Sequence, residues 1–230
     1  MRTILAVGAH PDDIELGCGG SLIKHVCDGD TVIMCVITQG THGPNATGRM
    51  DEQRHSCEII GAILEWGDFP DGAVSQHEFK LVQYLESVLK KYQPDLAYIH
   101  GLDDTHQDHR AVALGCLGAT RKLPRVLAFE SPSAINFLPT AFTDISGTID
   151  KKIESIHCHS SQVSGSMSVN PDAISGLAYY RGFQARTNAA EGFRTIRLLL
   201  LCNNEENPRH LDMGTGIFFC FIIVLLILVS

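Results

Sequence analysis

Several familiar signatures are missing from this chain of 230 residues, and each absence narrows what it can be. The eight cysteines (Cys18, Cys27, Cys35, Cys57, Cys116, Cys158, Cys202 and Cys220) contain no CxxC pair, and several lie in apolar stretches. That pattern points to reduced thiols acting as small hydrophobes rather than to a disulfide or thiolate-metal framework. No dense Lys/Arg run interrupts a formal charge of −8, so nucleic acid is not an expected partner. The apolar run in Met1–Gly8 is too short for a signal-peptide core, and a reducing cytosol is the expected compartment. No G-x-S-x-G elbow supports a serine hydrolase. The glycine-rich Gly17-Cys18-Gly19-Gly20 does not directly follow a strand, as a dinucleotide fingerprint should.

No internal repeat or low-complexity linker occurs before about residue 200, and the 44% hydrophobic content suffices for one core. The expected organisation is a catalytic body over residues 1–200 and an atypical tail over 201–230. Within that tail, Ile217–Val229 is thirteen uncharged apolar residues, short of the roughly 18 that usually span a bilayer. Membrane contact through 217–229, peripheral or as a tail anchor, is therefore weighed but not favoured.

Five short, apolar and often β-branched segments predict buried parallel strands: Thr3–Val7, Thr31–Ile37, Ile63–Trp66, Asp95–His100 and Arg125–Phe129. Between them Leu16–Cys27, Met50–Ile63, Glu78–Tyr92 and Gln107–Thr120 repeat apolar residues at helical spacing. The alternation predicts an α/β fold with a mostly parallel central sheet, built from right-handed βαβ units.

Chemistry-bearing residues gather where two strands end. The first strand empties into His10-Pro11-Asp12-Asp13, and the fourth into Gly101–His109, which holds His106, Asp108 and His109. In an open parallel sheet, ligands bind beyond the carboxyl ends of the strands, so both clusters face one pocket. His10, Asp13 and His109 make the two-imidazole, one-carboxylate set of a catalytic zinc site with an open position. Asp12 is left beside the metal as a proton acceptor, His106 as a cation or proton donor, and Asp108 as a group to orient that imidazole. The blander reading makes them helix caps: Asp12 or Asp13 for the Leu16 helix, Asp104 or Thr105 for the Gln107 helix. Capping accounts for one or two of these residues, not for five His and Asp side chains at two strand ends. Arg49 or Arg54, and Asp71 or Asn45, are weighed as sugar or phosphate contacts against the blander reading of Gly40–Gly48 as a mobile loop, and His157 and His159 are expected to be polar residues on a strand edge rather than a second metal site.

Ala9-His10-Pro11-Asp12-Asp13 followed by His106-Gln107-Asp108-His109 resembles the PIG-L/LmbE-like de-N-acetylases over roughly residues 3–197. Thr38-Gln39-Gly40, the Arg49–Ile63 helix, Phe69-Pro70-Asp71-Gly72, Ser160-Ser161-Gln162 and Ala190-Glu191-Gly192-Phe193 are similar to further family motifs. The resemblance implies a Rossmann-like three-layer sandwich and an enzyme that removes acetyl groups from N-acetylglucosaminyl conjugates, small amino-sugar molecules. It further implies His10, Asp13 and His109 as ligands of zinc, or of another divalent ion such as iron(II). Asp12 is then the general base, protonated His106 the oxyanion stabiliser and proton donor, and Asp108 its orienting partner. Ile14 separates Glu15 from the paired aspartates, so Glu15 is not expected on the metal.

Overall fold

A computed structural model of the chain describes residues 1–42, 46–164 and 169–200. The expectations for Asn45 and for the 201–230 tail lie outside those residues. Strands and helices alternate through β1 (Thr3–Gly8), α1 (Asp13–Cys27), β2 (Thr31–Thr38), α2 (Arg49–Ile60), β3 (Ile63–Phe69), α3 (Glu78–Tyr92), β4 (Leu96–His100), α4 (Gln107–Ala119) and β5 (Arg125–Phe129). Then follow β6 (Ala141–Asp144), α5 (Ile149–His157), α6 (Ser160–Val163), α7 (Pro171–Ala185) and β7 (Ala190–Leu198).

The strands form one seven-stranded sheet in the order β3-β2-β1-β4-β5-β7-β6. β1 to β5 are mutually parallel, with β1 pairing Thr3 to Thr31 of β2 on one side and Ile4 to Leu96 of β4 on the other. β7 runs antiparallel to both β5 and β6. Successive side chains leave opposite faces of a strand, and the core divides accordingly. Leu5, Val7, Ile33, Cys35, Ala97 and Ile99 pack with Leu81, Leu85 and Val88 of α3 and Val112 and Cys116 of α4. Ile4, Ala6, Val32, Met34, Leu96 and Tyr98 pack on the other face with Ile14, Cys18 and Leu22 of α1 and Cys57 and Ile60 of α2. The result is the expected Rossmann-like three-layer sandwich.

Two differences from the sequence expectation have clear causes. β6 and β7 were not foreseen: β6 has only four residues, and β7 mixes Glu191, Arg194 and Arg197 into its apolar pattern, as befits an antiparallel strand near the sheet edge. His157 and His159 do not share a strand face: His157 ends α5, and the buried His159 precedes α6 with its ring against Glu15. No helix among the described residues is long and apolar enough to cross a membrane.

The glycines of α1 serve packing rather than phosphate binding. A Cβ on Gly17 would lie 2.2 Å from the Phe129 ring, so only a bare backbone lets the helix approach the end of β5. Where α1 passes beneath β7, Glu191 accepts from the backbone N–H groups of Gly20 (2.9 Å) and Ser21 (2.7 Å). The Lys152 ammonium donates to Leu16 O (2.8 Å) and to Glu191 (2.5 Å), which makes a buried ion pair lodged against the helix backbone.

The chain leaves β1, builds β2 and β3 to one side, then returns to place β4 on the other. This reversal puts the topological switch point between β1 and β4, where both ligand-rich segments begin.

Candidate metal centre

β1 ends at Gly8, and Pro11, which has no N–H to donate, helps turn the chain toward α1. Asp12 completes the turn at φ 94°, a positive value that a non-glycine residue adopts at some cost. Asp12 occupies the N-cap position of α1, but its side chain makes no capping bond. One carboxylate oxygen instead accepts from Arg49 (3.0 Å), while the Asp12 N–H donates to Gln53 (3.2 Å). The turn sends the neighbouring carboxylate elsewhere: Asp13 Oδ2 accepts from His10 N (2.7 Å) in the first turn of α1, where the helix dipole favours negative charge.

From β4 the loop brings in the other half. Asp104 accepts from His106 N (2.8 Å), and His106 caps α4 by accepting from Asp108 N through Nδ1 (3.2 Å). His109, in the first turn of α4, places Nε2 3.3 Å from Asp13 Oδ1, while Asp13 Oδ2 lies 3.3 Å from His10 Nδ1. Asp13 therefore joins the expected trio of His10, Asp13 and His109. Their donor atoms overlap two tighter groups, His10–His106–His109 and Asp13–His100–His109, each with its ligand atoms within 4.8 Å of one another.

The residues around this trio test whether it fits a metal. A ligating imidazole usually gives its other ring nitrogen to a carboxylate or carbonyl, which fixes the tautomer. His109 Nδ1 lies 3.0 Å from Asp104, whose carboxylate also accepts from Ser131 Oγ. His10 Nε2 lies 3.1 Å from Asp71 and 3.4 Å from Asp108. Both imidazoles thus keep one nitrogen anchored and turn the other toward Asp13. Burial opposes charge at all three residues, yet their mutual attraction wins. His109 and His100 hold Asp13 well below the usual carboxylate range; Asp13 and Asp104 raise His109 to about 9; and Asp108, Asp13 and Asp71 hold His10 well above its ordinary value. Ionised oxygen and imidazole donors that hold extra protons as counter-charge are a donor set suited to a divalent cation.

Asp12 differs from its neighbour. Burial, reinforced by the Asp13 charge, pushes its carboxyl up to about 7, even though Arg49 and His159 pull the other way. A carboxyl at that level is poised to exchange protons near neutrality.

Several expected roles change. Asp108 does orient His106, but through its backbone N–H; its wholly buried carboxylate accepts from Gly72 N (2.6 Å) and Val74 N (3.2 Å) and faces His10. His106 was expected as a cation or proton donor; burial, with His10 and His109 nearby, lowers its pKa, and its Nδ1 accepts from Asp108 N. A ring that accepts at Nδ1 carries its proton on Nε2. Asp71, expected to hold sugar, spends its carboxylate on His10 and on His42 N (2.7 Å). Arg49 is buried, donating to Pro11 O (2.6 Å), Gly40 O (3.2 Å) and Asp12. Gly40, at φ 64°, makes room for it: a Cβ there would meet Arg49 Nη1 at 2.3 Å. Arg54 lies on the solvent face of α2, paired with Asp51 at 2.5 Å. Glu15 points away from the trio, accepting from Gln53 (2.6 Å) and Ser56 (2.5 Å) and lying 3.1 Å from His159.

Two contributors escaped the sequence reading. Asp104 was weighed only as a cap, and His100 only as the end of a strand. His100 stacks on His109 at 4.2 Å between ring centroids and accepts from Ala9 N (3.1 Å). The available signal was a third imidazole at the switch-point end of β4.

Fold and site together define an α/β enzyme with a His/Asp cluster able to hold a metal at the carboxyl edge of its sheet. Residues 5–120 match the PIG-L family model, described as GlcNAc-PI de-N-acetylase. The uncharacterized deacetylase YaiS of Escherichia coli K12 is 33% identical over 152 residues, 63% of this chain and 82% of that protein. The diacetylchitobiose deacetylase of Thermococcus kodakarensis is 24% identical over 227 residues, 85% of this chain and 84% of that protein. Among solved structures, the 4-carboxy-2-hydroxymuconate hydratase GalB of Pseudomonas putida KT2440 shares the fold, with TM-score 0.73 and 23% identity over 88% of this chain and 99% of that one. The chain belongs to the PIG-L family and is an enzyme of its deacetylase class.

Proposed function

We propose that this enzyme is a zinc-dependent hydrolase that removes the N-acetyl group from a small N-acetylglucosamine-containing conjugate, releasing acetate and a free amino sugar. The observation that carries the proposal is the division of labour at Asp12 and Asp13. Asp13 lies between His10 and His109, while Asp12 is turned aside, buried and held by one oxygen on Arg49. A carboxylate base beside a metal trio is an arrangement suited to metal-assisted amide hydrolysis by water.

When bound by His10 Nδ1, Asp13 and His109 Nε2, a divalent ion supplies Lewis acidity that polarises the amide carbonyl and makes water a better nucleophile near neutral pH. Asp12, with one oxygen fixed by Arg49, accepts the proton of the attacking water on the other and returns it to the departing amine nitrogen. His106 donates its Nε2–H to the oxyanion that develops on the carbonyl oxygen. A preorganised donor of this kind is worth about 3–4 kcal/mol in the transition state. Asp104 and Asp71 hold the two imidazoles in register throughout.

The substrate class rests on the family description and on the amino-sugar deacetylase among the relatives. The same fold carries a hydratase, so the fold alone does not choose the reaction. A panel of GlcNAc-inositol, GlcNAc-malate, nucleotide-linked GlcNAc and N,N'-diacetylchitobiose, assayed for acetate, tests the reading directly. Release from at least one, abolished by a chelator and restored by zinc, is expected. Acetate release that survives complete metal removal would overturn the metal dependence, and no release from any member would overturn the substrate class.

A further inference from the structure

Two carboxylates beside the proposed metal trio, the wholly buried Asp108 and the half-buried Asp71, share a single imidazole. Asp71 and Asp108 form ion pairs with His10 and, among the described residues, with no lysine or arginine. Elsewhere in the interior Asp12 is matched by Arg49 and Glu191 by Lys152, and Glu15 has one imidazole, His159, to itself. His10 Nε2, one oxygen of Asp71 and one oxygen of Asp108 lie within 4.8 Å of one another. The spacings from Nε2 are 3.1 Å and 3.4 Å. Nitrogen and oxygen ligands about 2.0–2.1 Å from a tetrahedral ion stand roughly 3.3–3.4 Å apart, so separations that now serve hydrogen bonds from Nε2–H are close to those of ligands on a common metal. The backbone already orients both carboxylates. Gly72 N and Val74 N fix Asp108, and His42 N holds the oxygen of Asp71 that does not face His10.

We propose that His10 Nε2, Asp71 and Asp108 form a second, weaker divalent-cation site, back to back with the first across the His10 ring. This rests on the reading that His10 Nδ1, Asp13 and His109 hold the first ion. At low metal the Nε2 proton occupies the second site, hydrogen-bonded to the two carboxylates. Filling the site replaces that proton, which leaves to solvent, with the cation, and the imidazole then bridges the two ions. Because the second ion takes the Asp71 and Asp108 anchors of a first-site ligand, its binding disturbs the catalytic centre, and excess metal inhibits.

Equilibrium dialysis of the purified enzyme against graded Zn²⁺, with metal counted by mass spectrometry, tests this. The wild-type chain is expected to bind one equivalent tightly and a second at least tenfold more weakly. Asp71→Asn is expected to abolish the second class up to millimolar zinc, while the first class stays present, about 10–100-fold weaker for the loss of one anchor of His10. His109→Ala should do the reverse, losing the tight class and keeping the weak one. Asp108→Asn serves as a second probe if Asp71→Asn does not fold, as judged by circular dichroism. A single equivalent up to millimolar zinc, or a second equivalent whose affinity is unchanged in both aspartate variants, overturns the proposal. Absence of the tight class in the wild-type chain sinks the first-site reading instead, so the two failures are distinguishable.

Discussion

Two adjacent carboxyl groups, Asp12 and Asp13, have opposite electrostatic fates because one positive φ turns them to different neighbours. Asp13 meets imidazoles; Asp12 meets burial, the Asp13 charge and a single guanidinium. Arg49 is the cation that touches Asp12, and it lowers a carboxyl that burial raises. Since Asp12 must be ionised to accept a proton, activity falls as pH drops through its pKa. Removing the Arg49 charge raises that pKa further, so the acid limb of kcat/KM in Arg49→Met is expected to move to higher pH than in the wild type. An unmoved limb would detach Arg49 from the base. Asp104→Asn should act differently, since it loosens His109: zinc affinity falls by about 10–100-fold, as is usual for an outer-shell partner, and metal titration measures it. Much of the residue scale was legible in sequence. His10, Asp12, Asp13, His106, Asp108 and His109 all flank strand ends, and the structure gathers them. The partnerships were less legible, because nothing in Asp71 or Arg49 as residue types separates a sugar contact from an anchor for His10 or Asp12.

At the scale of elements, α1 is pressed into place by two different devices. Gly17 lets it lie against Phe129, which in turn packs on His100 at 4.7 Å. Gly17→Ala overpacks that contact, and thermal melting is expected to show a loss of about 1–3 kcal/mol. The Lys152–Glu191 pair binds the same helix to α5 and β7. Lys152→Met leaves Glu191 buried without its cation, a change that usually costs about 3–5 kcal/mol. A melting temperature close to wild type would show that Glu191 escapes to water. Neither device was visible in advance. The glycine run was read inside the Leu16–Cys27 helix, but nothing in it named Phe129 as its neighbour, and Lys152 and Glu191 stand far apart in sequence. Four of the five parallel strands were visible because strands buried on both faces are nearly continuous runs of apolar residues; β3, expected to be buried like them, is instead a largely half-exposed edge strand that carries Glu65 and Asp68. β6 and β7 broke that rule, one by brevity and the other by its interleaved charges.

At the scale of the whole molecule, topology does what local sequence does not. About a hundred residues separate His10 from His109, and only the reversal of strand order between β1 and β4 makes them neighbours. The expectation of an open parallel sheet therefore brought the two segments to one edge as well as predicting the fold. Metal binding to the folded chain should stabilise it by mass action, so the stripped enzyme is expected to melt lower than the zinc-loaded one, with recovery on adding zinc back. The central claim, that Asp12 moves protons while His10, Asp13 and His109 hold the ion, is tested most directly by pairing metal content with turnover in Asp12→Ala and His109→Ala. The account predicts that Asp12→Ala keeps its tightly bound equivalent of zinc and loses about 10²–10⁴-fold in kcat, whereas His109→Ala loses both. A metal-loaded Asp12→Ala enzyme turning over at near wild-type rate would contradict it.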